Sequence, residues 1–159
     1  MLFSITNSKA QESADASATA TVVAPIAISK TTDMNFGNVA VSSLNSGTVV
    51  LAPAGTRTTT GDATTPATAG TVSAASFAIT GESGYTYAIT LPSSAITLEA
   101  NSGANSMTID SFTSDPDATG TLTGGAETVN VGATLNLSAG QAAGVYSSTS
   151  ALTVTVNYN

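Results

Sequence analysis

Three carboxylates, Asp110, Asp115 and Asp117, lie close together in the sequence and are of the type that Ca²⁺ takes as ligands. Their spacing lacks the DxDxDG order and the following glutamate of a calcium-binding loop. Asp115 directly precedes Pro116, a pair that typically starts a turn. The group is therefore interpreted as a solvated turn, with calcium binding as the weaker alternative.

The sequence contains neither cysteine nor histidine. Thiol nucleophiles, disulfides, the usual zinc and haem ligands and the commonest general base at neutral pH are therefore excluded. Glu82, Glu99 and Glu127 fall in predicted turns, where a carboxylate is typically solvated rather than paired with a second acid across a cleft. The abundant serines have no evident base. The sequence predicts a protein that is not an enzyme and that uses no metal or cofactor.

The charge balance restricts the class of partner. Of 159 residues, ten are acidic and three basic, for a formal net charge of -7, and the basic residues are Lys9, Lys30 and Arg57. A nucleic-acid-binding protein needs a clustered basic surface, and so does a protein that docks on anionic lipid. No run of residues approaches the ~20 apolar positions of a membrane-spanning helix. We therefore expect no nucleic-acid partner and no membrane insertion.

Two tyrosines suggest a different chemistry, because aromatic rings can stack on sugars. Tyr85 and Tyr87 alternate with polar residues and share one face of a predicted strand with Ile89 and Leu91. That shared face favours packing of both rings in the core over a carbohydrate-binding surface.

Short strand patterns separated by Gly, Pro and Asn follow one another along the chain, and no apolar pattern keeps a 3.6-residue period over three turns. The pattern predicts an all-β fold, an antiparallel β-sandwich, with a barrel as the alternative. The residues from Gly81 to Gly84 predict a hairpin that pairs the strands on either side. Gly132 is expected to divide the last third of the chain into separate short strands.

The chain is expected to comprise three parts. Residues 1–10 are interpreted as the remnant of a secretory signal, because a short apolar stretch precedes a small residue, Ala10. Residues 11–22 form an N-terminal extension, and residues 23–159 form a single β-sandwich domain. A cleaved signal predicts a secreted protein, on the bacterial cell surface or in the periplasm in transit.

Two segments have the strict alternation of half-buried strands. The final segment has no strand pattern after it, so its outer edge is a candidate acceptor for another chain. The N-terminal extension has the parity that a donor strand needs, from its own chain or from a neighbour's. The candidate acceptor residues are Leu152, Val154, Val156 and Tyr158, and the candidate donor residues are Ala14, Ala16, Ala18, Ala20 and Val22.

The opening stretch ATATVVAPIAISKTTDMNFGNVAV and the closing stretch AGVYSSTSALTVTVNY resemble the first and last strands of the bacterial spore-coat-protein-U-like family. They resemble still more closely the related domain of unknown function family 4402, as does the central GTVSAASFAITGESGYTYAITLP. The most specific pieces are NFG at Asn35–Gly37 and the G-x-Y motif that precedes the alternating C-terminal strand. The cysteine pair that many such pilins carry is absent.

The resemblance implies an immunoglobulin-like sandwich related to the subunits of archaic chaperone–usher pili. Such sandwiches are incomplete and are completed by donor-strand exchange, first with a periplasmic chaperone and then with the N-terminal extension of a neighbouring subunit. The expected function is therefore an exported structural subunit of a pilus or surface fibre, with a homopolymer or other pilus subunits, a chaperone and an usher as partners. The alternative is a monomeric surface adhesin or carbohydrate-binding module whose sandwich is completed by its own chain.

Overall fold

The computed structural model describes residues 1–4, 10–100 and 103–159; half of the interpreted signal remnant, including Lys9, lies outside these residues. The described chain forms antiparallel strands, with a single-turn 3-10 helix at Thr123–Gly125. The strands are β1 Ala27–Thr32, β2 Ala40–Val41, β3 Gly47–Leu51, β4 Arg57–Gly61, β5 Ala63–Thr64, β6 Ala75–Thr80, β7 Thr86–Thr90, β8 Ile96–Ala100, β9 Asn105–Asp115, β10 Thr119–Thr121, β11 Ala126–Leu137, β12 Ser147–Ser148 and β13 Thr155–Tyr158.

Most strands belong to one large sheet built around β11. The order across this sheet is β1-β6-β11-β9-β8-β12. β6 pairs with the first half of β11, and β3 pairs with the second half on the same edge. β4 pairs with the far side of β3. At 12 residues β11 is long enough to pair two strands in succession on that edge and β9 on the other. β11 therefore fixes the register of its three direct neighbours, β3, β6 and β9.

A smaller sheet, in the order β10-β7-β13, packs on one face of the large sheet. Buried and exposed residues alternate in both layers, so Ile79 and Val129 of the large sheet pack with Tyr87 and Val156 of the small one. This is the period-2 pattern of strands with one face in a core. The predicted all-β sandwich is confirmed. No helix in the described part of the chain is long and apolar enough to cross a membrane.

The hairpin predicted at Gly81–Gly84 is not formed. β6 pairs with β1 and β11 in the large sheet, whereas β7 pairs with β10 and β13 in the small one, so the turn is a corner between the two layers. The backbone N–H of Gly84 bonds to Leu122 rather than across a two-strand ladder. The turn residues Gly81–Gly84 are compatible with a hairpin and with a corner between layers. Placing β6 and β7 in opposite layers buries the apolar face of each strand.

The break predicted at Gly132 is also not formed, because β11 continues through this residue. A Cβ at Gly132 would overlap the carbonyl oxygen of Leu51, so glycine is required here for close packing rather than for a turn. The register between β9 and β11 shifts beside Gly132, opposite Ser111, which has a φ of 50°. This bulge turns Phe112 toward the core.

One polar pair is built into the interface of the two layers. Tyr87 is fully buried, and its hydroxyl donates a 2.7 Å hydrogen bond to Glu127 Oε2, which also accepts the backbone N–H of Thr121 at 2.8 Å. A Cβ at Gly120 would overlap both side chains. Burial, followed by the hydrogen bond to Glu127 and the negative charge of Glu127, raises the pKa of Tyr87 above its usual range.

This raised pKa predicts a loss of stability in alkali. The neutral phenol of Tyr87 contributes stability that is fully present below the unfolded-state pKa of about 10 and is lost as the pH rises above it. We expect the free energy of unfolding, measured with urea between about pH 8 and 11, to fall more steeply in the native protein than in Tyr87→Phe. The control Tyr85→Phe removes an exposed phenol and should keep the steep fall. Equal slopes for all three proteins would contradict this assignment.

Candidate functional site

The core of the sandwich is divided into two clusters of buried side chains. The first, here the Leu135 cluster, lies between the large sheet and the β2–β5 region, and the second, the Phe77 cluster, lies between the large and small sheets. Met34 and Leu152, both half-buried, pack against both clusters. A domain usually has one contiguous core. The division therefore marks a discontinuity in the packing between the layers.

A groove of about 870 Å³ lies between the two clusters. One wall is formed by residues 32–39, and the other by residues 144–148 and 151–152. The floor is the inner face of the large sheet, with side chains from four neighbouring strands: Ala75, Phe77, Ile96, Leu98, Met107, Ile109 and Leu135. The groove thus opens directly onto residues that belong to the core.

The first wall contains the NFG motif and is held by side-chain hydrogen bonds. Asn35 Oδ1 accepts the backbone N–H of Gly37 at 2.8 Å. From β4, Arg57 Nη1 donates to the carbonyl oxygens of Phe36, at 2.5 Å, and Asn38, at 2.9 Å. Phe36 itself is buried in the Leu135 cluster. This wall is therefore fixed both by packing and by the guanidinium group.

The second wall leads into β13, which pairs with β7 on one side. Asn159 donates its backbone N–H to Thr86, and hydrogen-bonding residues alternate along an antiparallel ladder. Asn157 and Thr155 therefore also direct their backbone N–H and C=O groups toward β7. Val154, Val156 and Tyr158 direct theirs away from β7. Within the described part of the chain, these outward N–H and C=O groups have no backbone partner.

The four candidate acceptor residues occupy different parts of this strand and wall. Val154 and Val156 are each 8% exposed and pack in the Phe77 cluster, Leu152 lines the groove, and Tyr158 is half-buried. β13 begins only at Thr155. Two residues earlier, Thr153 would lie opposite Pro92 in the same register, and Pro92 has no N–H to donate.

The candidate donor residues are not paired with the groove of their own chain. No strand, turn or bend occurs between residues 10 and 26. The segment makes its first side-chain hydrogen bonds with the domain at Ala24. All five candidate donor residues are exposed: Ala14, Ala16, Ala18, Ala20 and Val22.

The acidic residues and the two tyrosines that the sequence suggested for calcium or sugar binding make contacts within the fold. Among the described residues, no group of three His, Cys, Asp or Glu side chains is arranged to hold a metal ion. Asp110 accepts hydrogen bonds from Ser111 and Asn136, both on the large sheet. Tyr87 is buried as expected, but Tyr85 is 45% exposed because it precedes β7 and packs edge-on against Tyr158.

The floor of the groove was not predicted from the sequence. Its side chains come from β6, β8, β9 and β11, and each one alone has the pattern of an ordinary core residue. The strand order places them side by side, and that order follows from long-range pairing. The NFG motif at Asn35–Gly37 belongs to a wall of the groove and gives no signal for the floor.

Comparison with known proteins gives one match. Residues 26–158 match the family described as domain of unknown function, DUF4402. No curated protein and no solved structure matches the chain.

The bridging position of Leu152 predicts a measurable effect on stability. Leu152→Ala removes a half-buried side chain that touches both clusters, and we expect it to lower the free energy of unfolding by about 2 kcal/mol. The matched control is Thr153→Ala, an exposed neighbour of opposite parity, which should change stability by less than about 0.5 kcal/mol. Urea denaturation measures both. Equal effects of the two substitutions would mean that Leu152 does not bridge the clusters.

Proposed function

This chain belongs to the DUF4402 family, a domain of unknown function, and we propose that it is a structural subunit of a pilus or surface fibre that assembles by β-strand complementation, without catalysis. In this proposal the groove accepts an extended strand, and that strand is residues 11–22 of a second copy. The sandwich of each subunit is then completed by its neighbour.

The observation that carries the proposal is the groove between the two core clusters. Its floor consists of apolar side chains that a completed sandwich would cover. An apolar strand laid on this floor would join the Leu135 and Phe77 clusters into one core and cover the apolar area that the groove lining still exposes. Burial of apolar area contributes about 25 cal/mol per Å², so the groove favours an occupant with an apolar face.

The backbone of the C-terminal strand supports the same proposal. Val154, Val156 and Tyr158 direct their N–H and C=O groups away from β7, toward the outer edge of β13. Unpaired groups in such a row are a template for an added strand, because each gains a hydrogen bond when the strand pairs. Main-chain bonds and side-chain burial would therefore form in one step.

The dimensions of the floor suit the N-terminal extension. Phe77 lies opposite Val129 on β11, and Leu135 lies six residues farther along the same strand. At about 3.3 Å per residue, this is roughly 20 Å, which an extended strand covers with three or four inward side chains. The five same-parity residues from Ala14 to Val22 are sufficient.

The width of the groove favours small side chains. Six of the seven floor residues are no more than 9% exposed even though they line the groove, so it is narrow at its base. Alanine side chains fit such a base without displacing the floor, whereas larger ones would overpack it. The alanine-rich composition of the extension matches this shape.

The position of the extension favours a second copy as its acceptor. The extension leaves the domain at Ala24, beside Tyr158 at the end of β13, whereas the groove wall contains Leu152, three residues before β13 begins. Six extended residues separate these two ends by roughly 20 Å. Donor and acceptor at opposite ends form a heterologous, head-to-tail contact, and such contacts build an open filament unless the rotation between subunits closes a ring.

The further parts of the proposal derive from the resemblance to spore-coat-protein-U-like proteins and archaic pilins. They are export, a location on the bacterial surface or in the periplasm in transit, assembly with copies of itself or other pilus subunits, and handling by a chaperone and an usher.

A monomeric adhesin or carbohydrate-binding module is the second candidate, and Tyr85 is the observation that favours it. Its ring is 45% exposed at the end of the sandwich, where it could stack on a sugar. This candidate predicts glycan-array binding that is lost in Tyr85→Ala at unchanged stability, together with a protein that is strictly monomeric at high concentration.

Cysteine cross-linking tests the favoured proposal, because the chain contains no cysteine of its own. We expect a mixture of Ala18→Cys and Leu152→Cys proteins to form disulfide-linked heterodimers under mild oxidation. As the matched control, Leu44→Cys places an exposed thiol outside the groove lining and should link to Ala18→Cys only at background level. Equal linkage of the two acceptors would contradict strand insertion at the groove.

Deletion of residues 11–22 tests the donor. The deleted segment contributes no strand to the domain, so we expect the variant to fold with nearly unchanged unfolding behaviour but to form no fibres by electron microscopy. A synthetic peptide of residues 11–23 should bind the deletion variant and raise its melting temperature. Normal fibres from the deletion variant would refute the assignment of the donor.

A further inference from the structure

The N-terminal extension is fastened to the domain by a small hydrogen-bonded cluster, here the Ala24 clamp, formed by Ala24, Glu82 and Tyr158. The backbone N–H of Ala24 donates to Glu82 Oε2 at 3.0 Å, and the Tyr158 hydroxyl donates to the Ala24 carbonyl oxygen at 2.9 Å. The same hydroxyl accepts the backbone N–H of Glu82 at 2.6 Å. Both backbone groups of one residue are thus held by side chains from two other segments.

The clamp is tightly packed on its inner side. A Cβ at Gly81 would overlap the Tyr158 hydroxyl, so glycine is needed to admit the tyrosine. The Tyr158 ring packs edge-on against Tyr85 with ring centroids 5.6 Å apart. Tyr158 therefore has a defined position from which its hydroxyl reaches Ala24.

The sequence around the clamp opposes a reversal of the chain. Ala24 precedes Pro25, and a residue before proline is restricted to extended conformations. Val22 and Val23 are β-branched and favour the same region. No Gly, Asn or Asp occurs between residues 16 and 25 to form a turn. The extension consequently continues away from Ala24 without a bend.

Each copy of this chain carries both a donor segment and an acceptor groove. For copies to complement one another, the donor segment must be kept out of the groove of its own copy. A tethered segment has an effective concentration of the order of mM for a nearby site, so at lower protein concentrations it outcompetes a second copy unless geometry forbids the intramolecular contact. To reach its own groove, the extension would have to reverse at residues 22–24 and run back alongside β1, because the floor begins at Phe77, opposite Lys30.

We infer that Glu82 and Tyr158 are positioning residues that hold the extension pointing away from its own groove and thereby select a second copy of the chain as the acceptor. This inference rests on the proposed function. It adds which residues decide whether the extension enters the groove of a second copy or its own groove. The clamp acts on the direction of the donor and does not contact the groove, whose lining includes none of its three residues.

The test uses a single chain with both Ala18→Cys and Leu152→Cys. Under dilute oxidation, the ratio of intramolecular to intermolecular disulfide reports which groove the extension enters. We expect the intermolecular product to predominate, and the added substitution Tyr158→Phe, which removes the hydroxyl and both of its bonds, to raise the intramolecular share about fivefold or more. Glu82→Ala should shift the ratio in the same direction.

Controls separate this effect from a loss of stability. Tyr85→Phe removes a phenol hydroxyl at the same end of the domain, outside the Ala24 clamp, and should leave the ratio unchanged. Urea unfolding of each variant shows that the compared proteins are folded. An unchanged ratio in both Tyr158→Phe and Glu82→Ala, with intermolecular links still forming, would overturn the inference and leave the proposed function standing. No disulfide of either kind in the starting chain would refute the proposed function and the inference with it.

Discussion

The constraint on which this structure depends is the pairing of backbone hydrogen-bonding groups at strand edges that border an apolar core. An edge whose N–H and C=O groups have no partner is stable only if water or another strand satisfies them. The outer edge of β13 is such an edge, and Leu152, three residues before β13, lines the groove that divides the core. In our account, one added strand satisfies the backbone edge and covers the apolar floor together.

The large sheet provides the rigid platform for this site. β11 joins β6, β3 and β9 through a single uninterrupted strand, and its glycine at position 132 admits the close approach of Leu51. Four of its strands carry the groove floor, so the floor does not depend on loops. The walls differ in construction: one is held by Arg57 and the NFG motif, while the other includes Leu152, which the β7 ladder does not reach because Pro92 ends the pairing.

Much of the fold follows from local sequence patterns, and the site follows only in part. The alternation in β6, β7 and β13 indicates strands with one buried face, and the buried Phe77, Tyr87 and Val156 agree with it. Local patterns do not decide which strands pair. Gly81–Gly84 therefore suggested a hairpin where the chain crosses between layers, and Gly132 suggested a break where close packing requires glycine. The groove floor depends on the same long-range pairing, whereas the two alternating segments proposed as donor and acceptor could be selected from periodicity alone.

Amide hydrogen exchange along β13 tests the central claim most directly. In the unassembled protein at low concentration, the amides of Val154, Val156 and Tyr158 should exchange rapidly, while those of Thr155 and Asn157, which face β7, should be protected. Assembly, or addition of a peptide of residues 11–23 to the protein lacking its extension, should slow exchange of the outward amides by about tenfold or more, with little change at Thr155 and Asn157. Exchange rates at Val154 and Val156 that stay the same in assembled fibres would show that no strand is added to this edge, and the account would be wrong.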